Sequence, residues 1–232
     1  MRIALLSDIH ANLPALEAAL HDVRRESPDA IYVCGDSIGY YFWPKEVLEL
    51  LESVGATSIK GNHEEMLVQM HRGAISSDSV REKYGPGLDI ALADLNAHQL
   101  ATIEQLPHPL TISSADGDAL ISHGSPENID RYVYPDSKLD FVNGSDFSRN
   151  RWIVMGHTHY PMEAVKGDIL FINPGSVGQP RNRVPGAHWA ILNTEKDDVT
   201  FFNTQYDHRA VANEARRRCP ELPYLERVLV RT

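Results

Sequence analysis

The sequence predicts an α/β fold, and three observations along its 232 residues support that prediction. At the N-terminal end, short apolar runs alternate with amphipathic segments, which is typical of parallel βαβ units. A mostly helical stretch follows at about 63–106, and the second half contains alternating runs paired around turns. Because no repeat, low-complexity tract or linker divides the sequence, we expect one domain over residues 1–232, with a helical insertion at about 63–106 and a short helical tail at about 206–232.

The N-terminal strands and helices follow from the spacing of apolar residues. A helix is predicted over 12–26, where apolar side chains recur at helical spacing, Asn12 can cap and Pro14 lies in the first turn. A second helix is predicted over 44–53, which starts at a proline. The predicted strands are the three short apolar runs 2–8, 29–36 and 56–62.

The second half is predicted to contain three β-hairpins. Residues 108–124 hold two alternating runs around the Asp-Gly pair at 116–117, which is typical of a tight turn. The same pattern recurs around the Gly-Asp pair at 167–168 and again around 194–198. Antiparallel strands are therefore expected to follow the parallel units.

Composition limits the classes of function. No apolar stretch approaches the ~20 residues of a membrane-spanning helix, and the N-terminal residues lack the apolar region and cleavage site of a secretory signal. The two cysteines, Cys34 and Cys219, form no disulfide framework, so a reducing, cytoplasmic setting is expected. The formal net charge of −10 disfavours a broad nucleic-acid or anionic-membrane surface.

Residues with metal-ligand chemistry stand where several apolar runs end. In VMGHTHYP (154–161), for example, a glycine is followed by two histidines. Ligands of open α/β sheets collect at the carboxyl ends of the strands. Each motif alone is also explained by a helix cap, a tight turn or a satisfied buried histidine, but chance explains their shared position poorly. The residues are Asp8, His10, Asp36, Asn62, His63, His123, His157 and His159.

These side chains suit divalent metal ions. Imidazole, carboxylate and amide ligands fit Mn, Fe, Zn, Ni or Co, whereas a cysteine-based structural zinc site is absent from the sequence pattern. One catalytic ion with open positions cannot use every candidate ligand, so two ions that share a bridging group are expected. The positive charge of two divalent ions exceeds the negative charge of Asp8 and Asp36. The remaining local positive charge suits an anionic phosphoryl group. The candidate metal ligands are Asp8, His10, Asp36, Asn62, His123, His157 and His159.

At this point the motifs resemble a known family. DIH, GDSIG, GNHE, HG and GHTH, in this order, resemble the signature of the calcineurin-like metallophosphoesterases. NPGSVGQPR (173–181) is similar to the small bacterial and archaeal phosphodiesterases of the YfcE and diadenosine-tetraphosphatase type. The matching segments run from residue 2 to about 205. The resemblance implies a four-layer αββα sandwich of two mixed β-sheets flanked by helices.

The resemblance also implies a role for each site residue. Asp36 would bridge the two ions, and His63 is similar to the family's histidine that contacts the phosphate and can protonate the leaving oxygen. Both are therefore candidate catalytic residues. The implied mechanism is attack by a metal-bound hydroxide in line with the leaving group. The implied ligands are Asp8, His10 and His159 for one ion, and Asn62, His123 and His157 for the other.

Two features lie outside the common pattern of the family. After GDSIGY many relatives carry a Gly-Pro-like segment, whereas this chain has YFWP (41–44). The aromatic residues of 40–43 either anchor the loop on the domain or, with Tyr41 and Trp43 as candidates, stack on a substrate base. Arg181 either reaches a phosphate oxygen with its planar guanidinium or faces solvent as a capping residue.

The function predicted from these observations is that of a dinuclear-metal-dependent phosphoesterase acting on phosphodiesters, with phosphomonoesters as a second class, of a small or nucleotide-like substrate. The expected cofactors are two divalent ions, with Mn first and Fe, Ni, Co or Zn as alternatives. Two alternatives stay open, a dinucleoside-polyphosphate hydrolase or short-oligonucleotide nuclease, and a non-catalytic protein-binding scaffold on the same fold. The complete ligand set and His63 favour an enzyme. No membrane partner is expected, and the oligomeric state is left open, with a homodimer as one alternative.

Overall fold

The computed structural model describes residues 1–141, 147 and 149–232. Its strands are β1 (Arg2–Leu6), β2 (Ala30–Val33), β3 (Thr57–Ser58), β4 (Leu110–Ser114), β5 (Gly117–Ile121), β6 (Asn150–Val154), β7 (Met162–Lys166), β8 (Ile169–Asn173), β9 (Ala187–Asn193) and β10 (Asp198–Thr204). Its helices are α1 (Leu13–Glu26), α2 (Pro44–Ser53), α3 (Asn62–His71), α4 (Ser77–Tyr84), α5 (Gly87–Asp94), α6 (Ala97–Gln105), α7 (His208–Arg218) and α8 (Tyr224–Val230).

The strands form two five-stranded mixed sheets. The first sheet has the order β10-β9-β1-β2-β3, in which β1, β2 and β3 are parallel and β9 is antiparallel to β1. The second sheet has the order β4-β5-β6-β8-β7, with a parallel centre of β5, β6 and β8. The predicted fold class, two mixed sheets flanked by helices, is confirmed.

Local sequence signals account for the helix starts and hairpins. The side chain of Asn12 accepts a hydrogen bond from the backbone N–H of Ala15 at 3.3 Å, so it caps α1 as predicted. The three predicted hairpins are present as the antiparallel pairs β4–β5, β7–β8 and β9–β10. Lys166 pairs with Ile169 across the Gly-Asp turn, where Gly167 has a φ of +63°. The parallel N-terminal units are likewise confirmed.

The alternating side chains of β1 serve two hydrophobic layers. Ala4 and Leu6 pack toward α1 and α2, whereas Ile3 and Leu5 point into the space between the sheets. Burial of both faces explains why β1 is apolar at nearly every position. The residues that meet Ile3 and Leu5 from the second sheet include Ile121, Trp152, Val154 and Ile172.

Helices occupy the two segments predicted to be helical. Helices α3 to α6 connect β3 of the first sheet to β4 of the second and pack around Ile38, Leu67 and Leu88. Helices α7 and α8 pack on the aromatic loop at 40–43. The status of α3 to α6 as an insertion within one domain stays a prediction. Among the described residues, no helix combines the length and apolar character needed to cross a membrane.

Parallel strands bring the candidate site residues together. In each sheet the carboxyl ends of neighbouring parallel strands lie at the same edge. The loops that leave β1, β2, β3, β5 and β6 therefore converge, and every candidate ligand lies at the end of one of these strands.

Candidate metal centre

All eight polar residues singled out at the strand ends come together in the structure. Each is buried, with between 0% and 8% of its surface exposed. Burial of so many polar groups is costly unless each of them finds a partner or a cation. They are Asp8, His10, Asp36, Asn62, His63, His123, His157 and His159.

Three of these residues form what we call the first ligand group, which consists of Asp8, His10 and His159. The Nε2 atoms of His10 and His159 are 3.1 Å apart. Asp8 Oδ1 lies 3.3 Å from His159 Nε2 and 3.8 Å from His10 Nε2. The three ligand atoms thus converge on one point and could hold a metal ion.

The second ligand group consists of Asn62, His123 and His157. Asn62 Oδ1 lies 2.9 Å from His123 Nε2, and the rings of His123 and His157 have centroids 5.0 Å apart. His157 Nε2 is buried and has no hydrogen-bond partner among the described residues. The ligand atoms of His123 and His157 also converge with a carboxylate oxygen of Asp36.

Asp36 lies between the two ligand groups. Its Oδ2 atom is 3.8 Å from His10 Nε2 and 3.3 Å from His123 Nε2, so one oxygen faces a histidine of each group. Its other oxygen, Oδ1, accepts a hydrogen bond from the backbone N–H of His63 at 2.9 Å. That bond fixes the orientation in which Oδ2 faces both groups.

The donor set fits a cation better than it fits internal hydrogen bonds. His10 Nδ1 lies 3.2 Å from the Ile38 carbonyl and His159 Nδ1 lies 2.6 Å from the Gln179 carbonyl. A carbonyl can only accept, so each ring carries its proton on Nδ1 and presents a lone pair at Nε2. Two facing lone pairs and the unpartnered Asp8 Oδ1 need a positive charge between them.

The second ligand group shows the same arrangement. The Cys34 carbonyl lies 2.8 Å from His123 Nδ1, which leaves Nε2 to face Asn62 Oδ1 and the Asp36 carboxylate. Burial alone would lower the pKa of His123, but the charge of Asp36 raises it to about 10. The same negative potential attracts a metal cation. At His157, burial and then the neighbouring His123 lower the pKa to about 4, so its ring is a neutral ligand.

The backbone at the site is held in an uncommon conformation. Positive φ angles between 52° and 67° occur at five candidate ligands. Non-glycine residues adopt this left-handed region rarely, at a cost of roughly 1–3 kcal/mol each, and such residues cluster at functional sites. The surrounding structure therefore holds these side chains in fixed directions. The five are Asp8, His10, Asp36, His157 and His159.

Glu64 supports the site, and we did not single it out from the sequence. Its buried carboxylate accepts hydrogen bonds from the backbone N–H groups of Asp36, Ser37 and Gly61 at 2.8 Å and of Ile38 at 3.3 Å. It thus ties the loop after β2 to the start of α3. Burial and the charge of Asp36 raise the pKa of Glu64 to about 7. Its place in the GNHE motif was the available signal.

His63 lies beside both ligand groups, and its ring nitrogen also converges with ligand atoms of His10 and Asp36. Its Nε2 is 3.9 Å from Asp36 Oδ2, and its ring packs against His10 and Tyr84 with centroids 4.8 Å and 5.1 Å away. Nδ1 faces Gly39, whose φ is +92° and where a Cβ atom would collide with that nitrogen. Burial lowers the pKa of His63 to about 4, so the ring is neutral.

Comparison with known proteins assigns this site to a family. Residues 1–197 match the calcineurin-like phosphoesterase superfamily domain. The chain belongs to that superfamily. The family resemblance read from the motifs is therefore confirmed, as is the enzyme class, a metal-dependent phosphoesterase.

Relatives of this phosphoesterase cover nearly its whole length. The crystal structure of a metallophosphoesterase from Sphaerobacter thermophilus matches it with a TM-score of 0.74 and 29% identity, over 94% of each chain. An uncharacterized protein of Methanocaldococcus jannaschii is also 29% identical over 94% of each chain. The phosphodiesterase YfcE of Escherichia coli is 23% identical, over 88% of this chain and 94% of its own.

In this phosphoesterase, Arg181 lies at the rim of the first ligand group. Its Nη2 donates to the Tyr40 hydroxyl at 3.3 Å and to Gln179 Oε1 at 3.2 Å. Burial and then the charge of Arg181 lower the pKa of His159, which agrees with a guanidinium held close to that ring. Arg231 donates to the carbonyl of Arg181 at 3.1 Å and helps to hold its loop. The structure therefore disfavours a free, solvent-facing arginine.

The aromatic loop of the phosphoesterase divides between site and core. Tyr40 packs on the site, with its ring centroid 4.6 Å from that of His10. Tyr41 is fully buried and its hydroxyl donates to the Leu225 carbonyl at 3.0 Å, which favours the loop-anchoring alternative for Tyr41 over stacking on substrate. Trp43 is partly buried on the same cluster, edge-on to Phe42, and its contact with substrate stays a prediction. The burial and hydrogen bond of Tyr41 anchor the loop on the C-terminal helices.

Proposed function

We propose that this protein hydrolyses phosphodiester bonds of small or nucleotide-like substrates at a centre of two divalent metal ions. One observation carries the proposal. Asp36 Oδ2 faces His10 of the first ligand group at 3.8 Å and His123 of the second at 3.3 Å. A single oxygen between two sets of converging lone pairs is what two ions with a bridging ligand require.

The two ligand groups would hold one ion each, with Asp36 shared. When bound, such ions supply Lewis-acid stabilisation of the phosphoryl oxygens and a water nucleophile that is active near neutral pH. The chain's own contribution is to hold the ligands in fixed directions. The backbone carbonyls at Nδ1 of His10, His123 and His159 do this by orienting each ring.

His63 and Arg181 are proposed to act on the substrate directly. No acceptor meets His63 Nδ1 among the described residues, so we assign the ring proton to Nε2, which faces Asp36. From there its N–H can donate a hydrogen bond to the negative charge that develops on the leaving oxygen as the ester bond breaks. The Arg181 guanidinium, whose buried Nε has no partner in the described chain, can bind a non-bridging phosphate oxygen.

The metal identity and the cellular setting belong to the proposal as well. Histidine nitrogen mixed with carboxylate and amide oxygen suits Mn, with Fe, Ni, Co and Zn as alternatives. Cys34 and Cys219 are buried free thiols, which agrees with the reducing cytoplasmic setting expected from the sequence.

The test is hydrolysis of bis-p-nitrophenyl phosphate by chelator-stripped protein to which one metal at a time is restored. We expect turnover with Mn²⁺ and slower turnover of the monoester p-nitrophenyl phosphate. Elemental analysis of the Mn²⁺-loaded protein should find two ions per chain. Turnover with none of the five metals would leave the scaffold alternative, and one ion per chain in an active protein would refute the dinuclear centre.

A further inference from the structure

A cavity of about 420 Å³ opens beside the second ligand group. Asn62 and His157 line its inner end, and Tyr84 and Tyr132 line its walls. The cavity is therefore continuous with the candidate metal centre, and a substrate whose phosphate lies at the ligands would extend into it. Its walls should determine which ester substituents the site accepts.

An exposed tyrosine lines this cavity, and a second exposed tyrosine stacks on it. Tyr132 has 51% of its surface exposed although its ring centroid is only 4.1 Å from that of His157. Tyr134, 40% exposed, stacks on Tyr132 with centroids 5.8 Å apart and ring planes inclined by 14°. Tyr160 packs edge-on against Tyr134 at 5.9 Å. We call Tyr132 and Tyr134 the tyrosine platform.

The rest of the cavity wall complements an aromatic group with a polar edge. Tyr84 supplies a further ring, with Lys83 Nζ 4.8 Å above its centroid. Gln69 and Asp130 line the same space and offer a hydrogen-bond donor and acceptors. Flat apolar faces combined with side chains that can pair with ring nitrogens and carbonyls suit a nucleobase better than a lipid or a sugar.

We propose that the tyrosine platform stacks on the base of a nucleotide phosphodiester while the phosphate lies at the metal centre. The proposal rests on the proposed function and narrows it to a substrate class, nucleoside-bearing diesters. It places base stacking on Tyr132 and Tyr134 rather than on the loop at 40–43, where stacking was one of two alternatives. Tyr132 is thereby a specificity-determining residue.

The kinetic test compares two substrates with the same leaving group. Both thymidine 5′-(p-nitrophenyl phosphate) and methyl p-nitrophenyl phosphate release p-nitrophenol, but only the first carries a base. With Mn²⁺-loaded protein, we expect kcat/KM to favour the thymidine ester. Tyr132→Ala should lower the ratio of the two kcat/KM values at least about fivefold, because stacking of a base on an aromatic side chain contributes about 1 kcal/mol or more. Tyr132→Phe, which keeps the ring, should retain it.

The binding test does not depend on turnover. Thymidine 5′-monophosphate and deoxyribose 5-phosphate are titrated calorimetrically into the Mn²⁺-loaded protein, and Tyr132→Ala should weaken only the first. If Tyr132→Ala lowers kcat/KM for both esters equally and weakens binding of both ligands equally, base stacking on the tyrosine platform is refuted. Absence of hydrolysis of either ester by the wild-type protein would instead refute the proposed function, and the calorimetric comparison would then decide the platform on its own.

Discussion

The first and second ligand groups differ in their surroundings, although Asp36 lies between them. Asp8, His10 and His159 are at most 1% exposed and are covered by Tyr40 and the Arg181 loop. In the second group, Asn62 is 8% exposed and His157 is 5% exposed, and both line the cavity beside the tyrosine platform. One group is closed by protein, whereas the other opens toward the surface.

This difference suggests a division of labour within one centre. The first ligand group, whose ligands are fully buried and oriented, favours retention of its metal ion. Loss of that ion would leave two facing lone pairs and a carboxylate oxygen without a partner. An open group allows substrate to approach. Asp36 couples the two, so changes at Asp36 should affect both groups, and changes elsewhere should affect them unequally.

The largest effect is expected for Asp36→Asn. The amide cannot supply the negative charge that two cations share, so metal content should fall at both groups. Turnover of bis-p-nitrophenyl phosphate should fall by more than about 10³-fold. Elemental analysis and kcat check the two expectations separately.

The matched control is Asp94→Asn, the same change at an exposed residue at the end of α5. It should retain both ions and full activity. An Asp36→Asn variant that loses the ion of only one group would show that Asp36 belongs to that group alone, and the comparison would have to be redrawn.

The next largest effect is expected for His63→Ala. His63 contacts the ring of His10 but neither ligand group needs it, so both ions should remain. Loss of this hydrogen-bond donor to the leaving oxygen should lower kcat by about 10²- to 10³-fold. His71→Ala, at the exposed end of the same helix, is the control. Loss of an ion in His63→Ala would make His63 a ligand and extend the first group.

The ligand positions could be predicted from the sequence because they follow a local rule. Polar residues such as Asp8 and His123 end apolar runs, and parallel strands place those ends at one edge. The hairpins were equally predictable, since turn residues lie within the paired runs. Both the ligand positions and the hairpins can be predicted from neighbouring residues and from the direction of the strands.

Other parts of the site depend on packing between distant segments. Tyr40 and Tyr41 are adjacent, yet a positive φ of 56° at Tyr40 separates a ring that faces the site from one that faces the C-terminal helices. Tyr132 lies in an irregular segment without periodicity, and only the fold brings it beside His157. Such contacts leave no pattern in the sequence from which to predict them.

An intermediate effect is expected for Glu64→Gln, which acts on both ligand groups through the backbone. The carboxylate accepts from N–H groups on both of its oxygens, and an amide would present its NH₂ to one pair of these donors. Each unsatisfied N–H costs roughly 1–3 kcal/mol, so thermal unfolding should occur at a lower temperature. Metal affinity should weaken about 10- to 100-fold, as for other residues that orient ligands.

Glu65→Gln is the control for Glu64→Gln, because it makes the same change one residue later on a partly exposed side chain. Metal binding and unfolding temperature should be nearly unchanged. If Glu64→Gln behaves like Glu65→Gln, the hydrogen bonds to the loop after β2 contribute little, and the loop is held by other contacts.

The smallest effect, and the finest test of the comparison, comes from the neighbouring tyrosines of the aromatic loop. Tyr41→Phe removes the bond from its hydroxyl to the Leu225 carbonyl, which should cost about 1 kcal/mol and lower Tm by about 2–4 °C. Its kinetics should be unchanged, since the ring faces the core. Tyr40→Phe removes one of the two acceptors of Arg181 Nη2, so KM should rise a few-fold while Tm stays closer to wild type. A rise in KM for Tyr41→Phe would show that the Tyr41 ring contacts the substrate. An unchanged KM for Tyr40→Phe would show that the contact between Tyr40 and Arg181 does not support phosphate binding. The first ligand group would then have no role in substrate recognition.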